Sequence, residues 1–100
     1  MTVTTTREEG TYTVYLSGRL DTLTSRDLEK ELEVLFSEEG LKTLIIDMKD
    51  LEYISSAGLR VLLDAARFME DKDGMTVRNV CSEVMDVFDI TGFSEVFTIE

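Results

Sequence analysis

Two adjacent serines, Ser55 and Ser56, stand at the start of a predicted helix, followed by the small residues Ala57 and Gly58. The first backbone N–H groups of a helix lack intrahelical partners and lie at the positive end of the helix dipole. Such an end stabilises an anion, phosphate above all. A serine hydroxyl at this place therefore serves as a helix cap only, or also as a phosphorylation site, and the local residues leave both hypotheses open.

Gly58 is an unexpected residue for a first helical turn, because glycine costs about 1 kcal/mol relative to alanine inside a helix. A physical reason for it would be the close approach of another backbone or of a partner's loop, which the absence of a Cβ permits. The helix start is therefore a candidate contact surface.

The composition argues against several kinds of chemistry. The chain has no His, the commonest general base and metal ligand, and its single cysteine, Cys81, cannot form an intrachain disulfide. We therefore expect no catalytic residue, no metal site and no cofactor. Cys81 is expected to be a small half-buried hydrophobe. One cysteine and the absence of a signal peptide are typical of a cytoplasmic protein.

The formal net charge of −11 limits the class of partner. Affinity for phosphate backbones rests on Lys and Arg, so a surface this acidic disfavours nucleic acid and anionic membranes. The charge favours a basic partner surface, or it only keeps the protein soluble. The apolar runs are too short to span a bilayer, so we expect no membrane insertion.

Strands and helices alternate along the chain. The predicted strands are residues 2–8, 11–17, 41–48 and 75–80; the predicted helices lie between Thr24 and Gly40, over 57–72 and over 82–91, before a helical turn and short strand within 93–99. The alternation of Tyr12, Val14 and Leu16 indicates the second strand, and the turn signal Glu9–Gly10 joins it to the first as a predicted hairpin. This order predicts one α/β domain over residues 1–100. We expect a mixed, mostly parallel sheet of about four to five strands with three to four helices.

Residue types at the boundaries predict how these elements begin and end. Thr24 and Ser82 are expected to cap helices, and Gly40 suits the position with positive φ that follows a helix. The apolar run 44–46 predicts a strand covered on both faces. Residues 49–54 are expected to form a connection with two or three buried anchors.

The helix that follows the two serines is predicted to have two different faces. Its buried stripe is predicted to contain Leu59, Leu62, Leu63, Ala66 and Met69. Its outer side carries charges of alternating sign at Arg60, Asp64, Arg67 and Asp71. That outer row is either a solvated helix face or part of a binding surface.

Several segments together resemble the anti-sigma factor antagonists, the STAS domain family. The segment from Tyr53 to Leu63 is similar to the central signature of this family. The segment 16–22, which contains Asp21, is similar to its second-strand motif; the segment 44–51 is similar to its third-strand motif, and the segment 84–93 to its C-terminal helix and turn. The resemblance covers nearly the whole chain and implies a single STAS-like domain.

The resemblance implies a partner-switching cycle. In this family, the unphosphorylated antagonist binds an anti-sigma factor that is also a serine kinase, and thereby releases the sigma factor. The kinase phosphorylates a serine two residues before the helix-start glycine, which abolishes binding, and a PP2C-type phosphatase reverses the modification. That serine corresponds to Ser56. Many members carry Asp immediately before it, where this chain has Ser55, so Ser55 is an alternative site.

The resemblance also implies a partner-binding face at this helix start and the neighbouring loop. The expected residues are Asp21, Thr22, Ser55, Ser56, Ala57, Gly58, Leu59, Arg60, Asp64 and Arg67. For Asp21, a turn or capping role ahead of Thr24 is equally open. We expect a monomer or a weak dimer.

Three other functions compete with the partner switch. The first is a non-switching STAS adaptor subunit of a transporter or scaffold complex, in which Ser56 would act only as a cap. The second is a module that senses a nucleotide or another anion at the helix N-terminus. The third is an enzyme, which the missing His and the lack of a Walker-type loop disfavour.

Overall fold

A five-stranded sheet with three helices between its strands forms the protein, and the computed structural model describes all residues from 1 to 100. In chain order the elements are β1 (Thr2–Glu8), β2 (Thr11–Leu20), α1 (Thr24–Phe36), β3 (Thr43–Ile54), α2 (Ser56–Met69), β4 (Met75–Arg78), α3 (Ser82–Thr91), a 3-10 turn (Phe93–Glu95) and β5 (Thr98–Ile99). The strands lie in the order β1-β2-β3-β4-β5. Only the β1–β2 pair is antiparallel, so the predicted α/β fold with a mixed, mostly parallel sheet is confirmed.

The first two strands form the predicted hairpin. Glu8 pairs with Thr11, which leaves Glu9 and Gly10 as a two-residue loop with φ values of 51° and 88°. Positive φ at both loop residues is the turn geometry that matches the twist of paired strands. β2 then continues to Leu20, beyond its predicted end at residue 17, through irregular pairing with β3.

Two predictions about β3 were wrong. Residues 49–54 are not a connection, because they continue the strand and pair with the end of β2. Three exposed charged residues in this stretch hide the strand pattern. The apolar run is also not fully buried on both faces: Leu44 and Ile46 are fully buried, whereas Ile45 on the opposite face is half-buried.

Both predicted boundary residues of α1 were wrong. Thr24 is the first helical residue, and the carboxylate of Asp21 accepts hydrogen bonds from the backbone N–H groups of Leu23 (3.0 Å) and Thr24 (2.9 Å). The helix ends at Phe36, so Gly40 does not follow its last turn and has no positive φ. Leu23 stands at the N-cap position and makes no side-chain capping bond; the Asp21 carboxylate, two residues earlier, accepts the free N–H groups instead, as a capping side chain does.

Several later element boundaries also differ from the predicted ones. α2 ends at Met69 and not at residue 72, because the charged residues 70–73 form a turn. β4 ends at Arg78, before the predicted residue 80. Cys81 and not Ser82 occupies the N-cap position of α3. Gly92 does end α3, as predicted, with a φ of 82°.

The core lies between one face of the sheet and the helices. The apolar side chains that the helices bury there are Leu28, Leu32 and Leu35 of α1, Leu59, Val61, Leu62, Ala65 and Met69 of α2, and Val84 and Phe88 of α3. Leu63 and Ala66, predicted to be buried, are only half-buried, so the buried side of α2 is rotated from the predicted stripe. No helix here has the length and apolar character that crossing a membrane requires.

Candidate functional site

The start of α2 is tied directly to the end of β2. Ser55 is the N-cap residue, and its Oγ accepts a hydrogen bond from the backbone N–H of Gly58 at 3.1 Å. The backbone N–H of Ser55 donates to the carbonyl oxygen of Leu20 at 2.8 Å, and that of Leu59 donates to the Ser55 carbonyl at 2.9 Å. These bonds fix the position of the first helical turn on the sheet.

The two candidate serines have different environments. The hydroxyl of Ser55 makes the capping hydrogen bond, and this residue is half-buried. Ser56 is the first helical residue and is exposed. The first turn of α2 contains no acidic residue. Ser56 therefore presents an accessible hydroxyl at a helix start where no side-chain anion competes for the free N–H groups.

Packing in the core explains why glycine stands at position 58. It is buried, and a Cβ at this position would lie 2.7 Å from Cγ of Leu20 and 3.1 Å from Cγ1 of Ile54. The sequence predicted the close approach of another backbone or of a partner's loop, but the neighbours of Gly58 are side chains of the same chain, at the ends of β2 and β3. Leu59 is only 4% exposed, so Gly58 and Leu59 lie beneath the exposed surface of this helix start.

The loop from Asp21 to Ser25 is fixed by its own hydrogen bonds. The backbone N–H of Asp21 donates to the hydroxyl of Thr24 at 2.9 Å, and that hydroxyl donates to the carbonyl oxygen of Arg19 at 2.7 Å. The hydroxyl of buried Ser25 donates to the carbonyl oxygen of Thr22 at 2.9 Å. The backbone N–H of Thr24, which donates to the Asp21 carboxylate, is the main cause that lowers the pKa of Asp21, so this side chain is ionised at neutral pH.

Of the charged residues on the outer side of α2, only those near its start lie close to this site. Arg60 and Asp64 are exposed and form an ion pair with 3.5 Å between Nε and Oδ1, a type of contact that contributes little to stability. A helix rises about 1.5 Å per residue, which places Arg67 about 16 Å along the axis from Ser56. Ala57 is half-buried beside the serines and Thr22 is exposed in the neighbouring loop.

Three residues near this site were missed by the sequence reasoning. The guanidinium of Arg19 lies 4.1 Å from the ring centroid of Tyr53, and these residues are paired across β2 and β3. Leu23 is 73% exposed. Pairing of the strand ends would have revealed the first contact, but residues 49–54 were assigned to a connection.

A buried carboxylate was also missed. Asp47 is 5% exposed and accepts hydrogen bonds from the backbone N–H of Lys49 (3.0 Å), Nε of Arg78 (3.1 Å) and Nδ2 of Asn79 (3.0 Å). Burial raises the pKa of Asp47, but these hydrogen bonds outweigh it and the net shift is downward. The cluster holds the end of β4 against β3. No group of three or more His, Cys, Asp or Glu side chains is arranged to hold a metal ion.

Known proteins are similar to this chain along nearly its whole length. The family model described as STAS domain matches residues 2–100. The putative anti-sigma factor antagonist BtrV of Bordetella bronchiseptica is 31% identical over 100 residues, which cover 99% of this chain and 85% of that protein.

Two solved structures share the fold. An anti-sigma factor antagonist from Mycobacterium paratuberculosis has a TM-score of 0.88 at 22% identity, covering 98% of this chain and 83% of that one. The phosphorylated form of the Bacillus cell fate determinant SpoIIAA has a TM-score of 0.76 at 18% identity, covering 99% of this chain and 91% of that one.

Proposed function

The chain belongs to the STAS domain family, and from that premise we propose that it is an anti-sigma factor antagonist that acts by binding and not by catalysis. The relative from Bordetella bronchiseptica, with 31% identity over nearly the whole chain, carries that name. The partner proposed for this chain is accordingly an anti-sigma factor.

The proposed regulation is phosphorylation of Ser56. The unphosphorylated chain binds an anti-sigma factor with serine kinase activity and releases the sigma factor; phosphate on Ser56 abolishes binding, and a PP2C-type phosphatase removes it. The observation that carries this proposal is the difference between the two serines. Ser55 is occupied as the helix cap, whereas Ser56 is exposed in a first turn that has no acidic residue.

The same geometry favours exclusion of the partner without refolding of the domain. A phosphate adds about −1.5 to −2 charges, and the helix start that carries it already stabilises an anion. At the centre of a packed interface, however, the phosphate would have to be desolvated. A rise of about 2.7 kcal/mol in the free energy of binding weakens the complex about a hundredfold, which is enough to reverse a competition between two partners.

The proposed partner-binding face contains Asp21, Thr22, Ser55, Ser56, Ala57, Arg60, Asp64 and Arg67. Gly58 and Leu59 are buried, so they support this face by positioning the start of α2 on the sheet and do not contact the partner from the surface. We place this protein in the cytoplasm, where a sigma factor acts, and expect a monomer or a weak dimer.

Phosphopeptide mapping and affinity capture test the proposal together. The chain is purified from its host under several growth conditions and mapped by mass spectrometry, and the Ser56→Ala variant is used to capture partners. Condition-dependent phosphate on Ser56 and capture of an anti-sigma factor are the expected results. The captured protein is then incubated with ATP and wild-type chain, Ser55→Ala or Ser56→Ala; only Ser56→Ala is expected to escape modification.

The other outcomes point elsewhere. Phosphate on Ser55 would keep the cycle and correct the site. No phosphate under any condition, with transporter or scaffold proteins among the captured partners, would contradict the switch and favour the adaptor function.

A further inference from the structure

Leu23 is an exposed apolar side chain on a loop whose backbone is hydrogen-bonded. It is 73% exposed, and its backbone N–H donates to the Asp21 carboxylate at 3.0 Å. On the next residue, the Thr24 backbone N–H donates to the same carboxylate and the Thr24 hydroxyl to the carbonyl oxygen of Arg19 in β2. The backbone at Leu23 is therefore fixed by hydrogen bonds, whereas its side chain lies in solvent and contributes little to the core.

The position of Leu23 is coupled to that of Ser56. The carbonyl oxygen of Leu20, three residues before Leu23, accepts the hydrogen bond from the Ser55 backbone N–H at 2.8 Å. Gly58 packs directly on the Leu20 side chain. The loop and the helix start are thus joined through Leu20 into one surface, which carries the exposed Leu23 side chain and the exposed Ser56 hydroxyl.

Two other strongly exposed aliphatic side chains lie elsewhere. Ile90 is 85% exposed and Val34 is 56% exposed, and both belong to the last turns of their helices. Helices that follow parallel strands run back across the sheet, so their last turns lie at the opposite edge from the start of α2. Leu23 alone among these three lies at the edge that carries Ser56.

From this placement we propose that Leu23 is the main apolar contact with the anti-sigma factor and inserts into an apolar pocket on its surface. This inference rests on the proposed function and deepens it. Binding hot spots are buried anchors with a polar rim, and here Asp21 and the Arg19–Tyr53 pair supply the rim. Because the backbone that carries Leu23 is already hydrogen-bonded, binding through this side chain requires less ordering of the loop.

The test compares affinities for the anti-sigma factor captured with Ser56→Ala, purified and used as the probe in titration calorimetry. Leu23→Ala is expected to weaken binding tenfold to a hundredfold, Leu23→Asp more strongly, and Leu23→Met by less than threefold. Ile90→Ala and Ile90→Asp are the matched controls and should leave affinity unchanged. Because Leu23 is exposed, urea denaturation should show the same midpoint for Leu23→Ala as for the wild type.

The results separate this inference from the proposed function. If the wild type binds the anti-sigma factor and Ser56→Asp does not, but Leu23→Ala binds within twofold of the wild type, the inference is overturned while the function stands. If the wild type binds no anti-sigma factor, the proposed function fails and the inference fails with it.

Discussion

Helices α2 and α3 both begin with an exposed serine, but their first turns are built differently. Ser56 follows a capping serine, Ser55, and no acid lies in its turn. Ser82 follows Cys81, which makes no capping hydrogen bond, and its hydroxyl donates to the carboxylate of Glu83 at 3.3 Å. A hydrogen bond from the Glu83 backbone N–H, and then those from Cys81 and Ser82, lower the pKa of Glu83.

The presence or absence of an acidic residue in the first turn shows which of the two helix starts can accept an anion from outside the chain. α3 supplies its own carboxylate to the positive end of its dipole, whereas α2 supplies none. The third helical position also differs, since α2 has the buried Gly58 where α3 has the buried Val84. The first turn of α2 therefore lies directly on the Leu20 side chain and has a neutral cap, whereas the first turn of α3 carries a carboxylate.

The largest expected difference concerns a negative charge at the first position. Ser56→Asp should weaken binding of the anti-sigma factor about a hundredfold, equivalent to about 2.7 kcal/mol, because the carboxylate would have to be desolvated in the interface. Ser82→Asp is the matched control and should bind like the wild type. Calorimetric titration measures both, and equal losses for the two variants would remove the distinction between the helices.

The next effect concerns the close packing of Gly58. Gly58→Ala should lower the free energy of unfolding by about 1–3 kcal/mol, as overpacking does, because the new Cβ would meet Leu20 at 2.7 Å. Urea denaturation measures this loss. The same change made in a Leu20→Ala background should cost less, since the two positions are in contact; strictly additive losses would show that another contact sets the limit.

A smaller effect distinguishes the two caps. Ser55→Ala should lower the free energy of unfolding by about 1 kcal/mol, the usual cost of removing a capping side chain. Cys81→Ala should cost less, because the Cys81 side chain accepts no backbone N–H of α3 and its thiol has only weak contacts, with the Leu51 carbonyl at 3.4 Å and with the Glu83 carboxylate. If the midpoints of thermal unfolding fall equally, side-chain capping does not distinguish α2 from α3.

The smallest effect is a pH dependence of stability that comes from the start of α3 and has no counterpart at the start of α2. The pKa of Glu83 is lower in the folded chain than its ordinary value, so its contribution is present above that ordinary value and is lost as pH falls through the folded pKa. The melting temperature of Glu83→Gln should lie below that of the wild type at neutral pH, and the gap should close as the pH falls below the ordinary glutamate pKa of about 4.3. The gap between Ser55→Ala and wild type should stay constant, because that cap does not titrate.

Periodicity was sufficient to predict much of the fold. The alternation of Tyr12, Val14 and Leu16 predicted strand β2, and these side chains are buried as expected. The Glu9–Gly10 turn followed from residue types alone. These features depend on neighbours within a few positions along the chain, which a sequence pattern records directly.

What the sequence did not reveal depends on contacts between distant residues. Residues 49–54 are a strand because the end of β2 pairs with them, not because their own pattern demands it. The buried Asp47 requires Arg78 from another strand. At the site, the choice of Ser55 as the cap and the contact of Gly58 with Leu20 depend on how α2 meets the sheet, and the exposure of Leu23 follows from Asp21 as the cap.

The strand order has a consequence for how the chain folds as it is synthesised. Each strand of the sheet lies beside the strand that precedes it in the sequence. A chain that leaves the ribosome from its N-terminus can therefore form the β1–β2 hairpin first and then add each later strand to an edge that already exists. The short sequence separation between neighbours favours rapid pairing. The outer edge of β4 is the last to be paired, because its partner strand, Thr98–Ile99, is the last element to be synthesised.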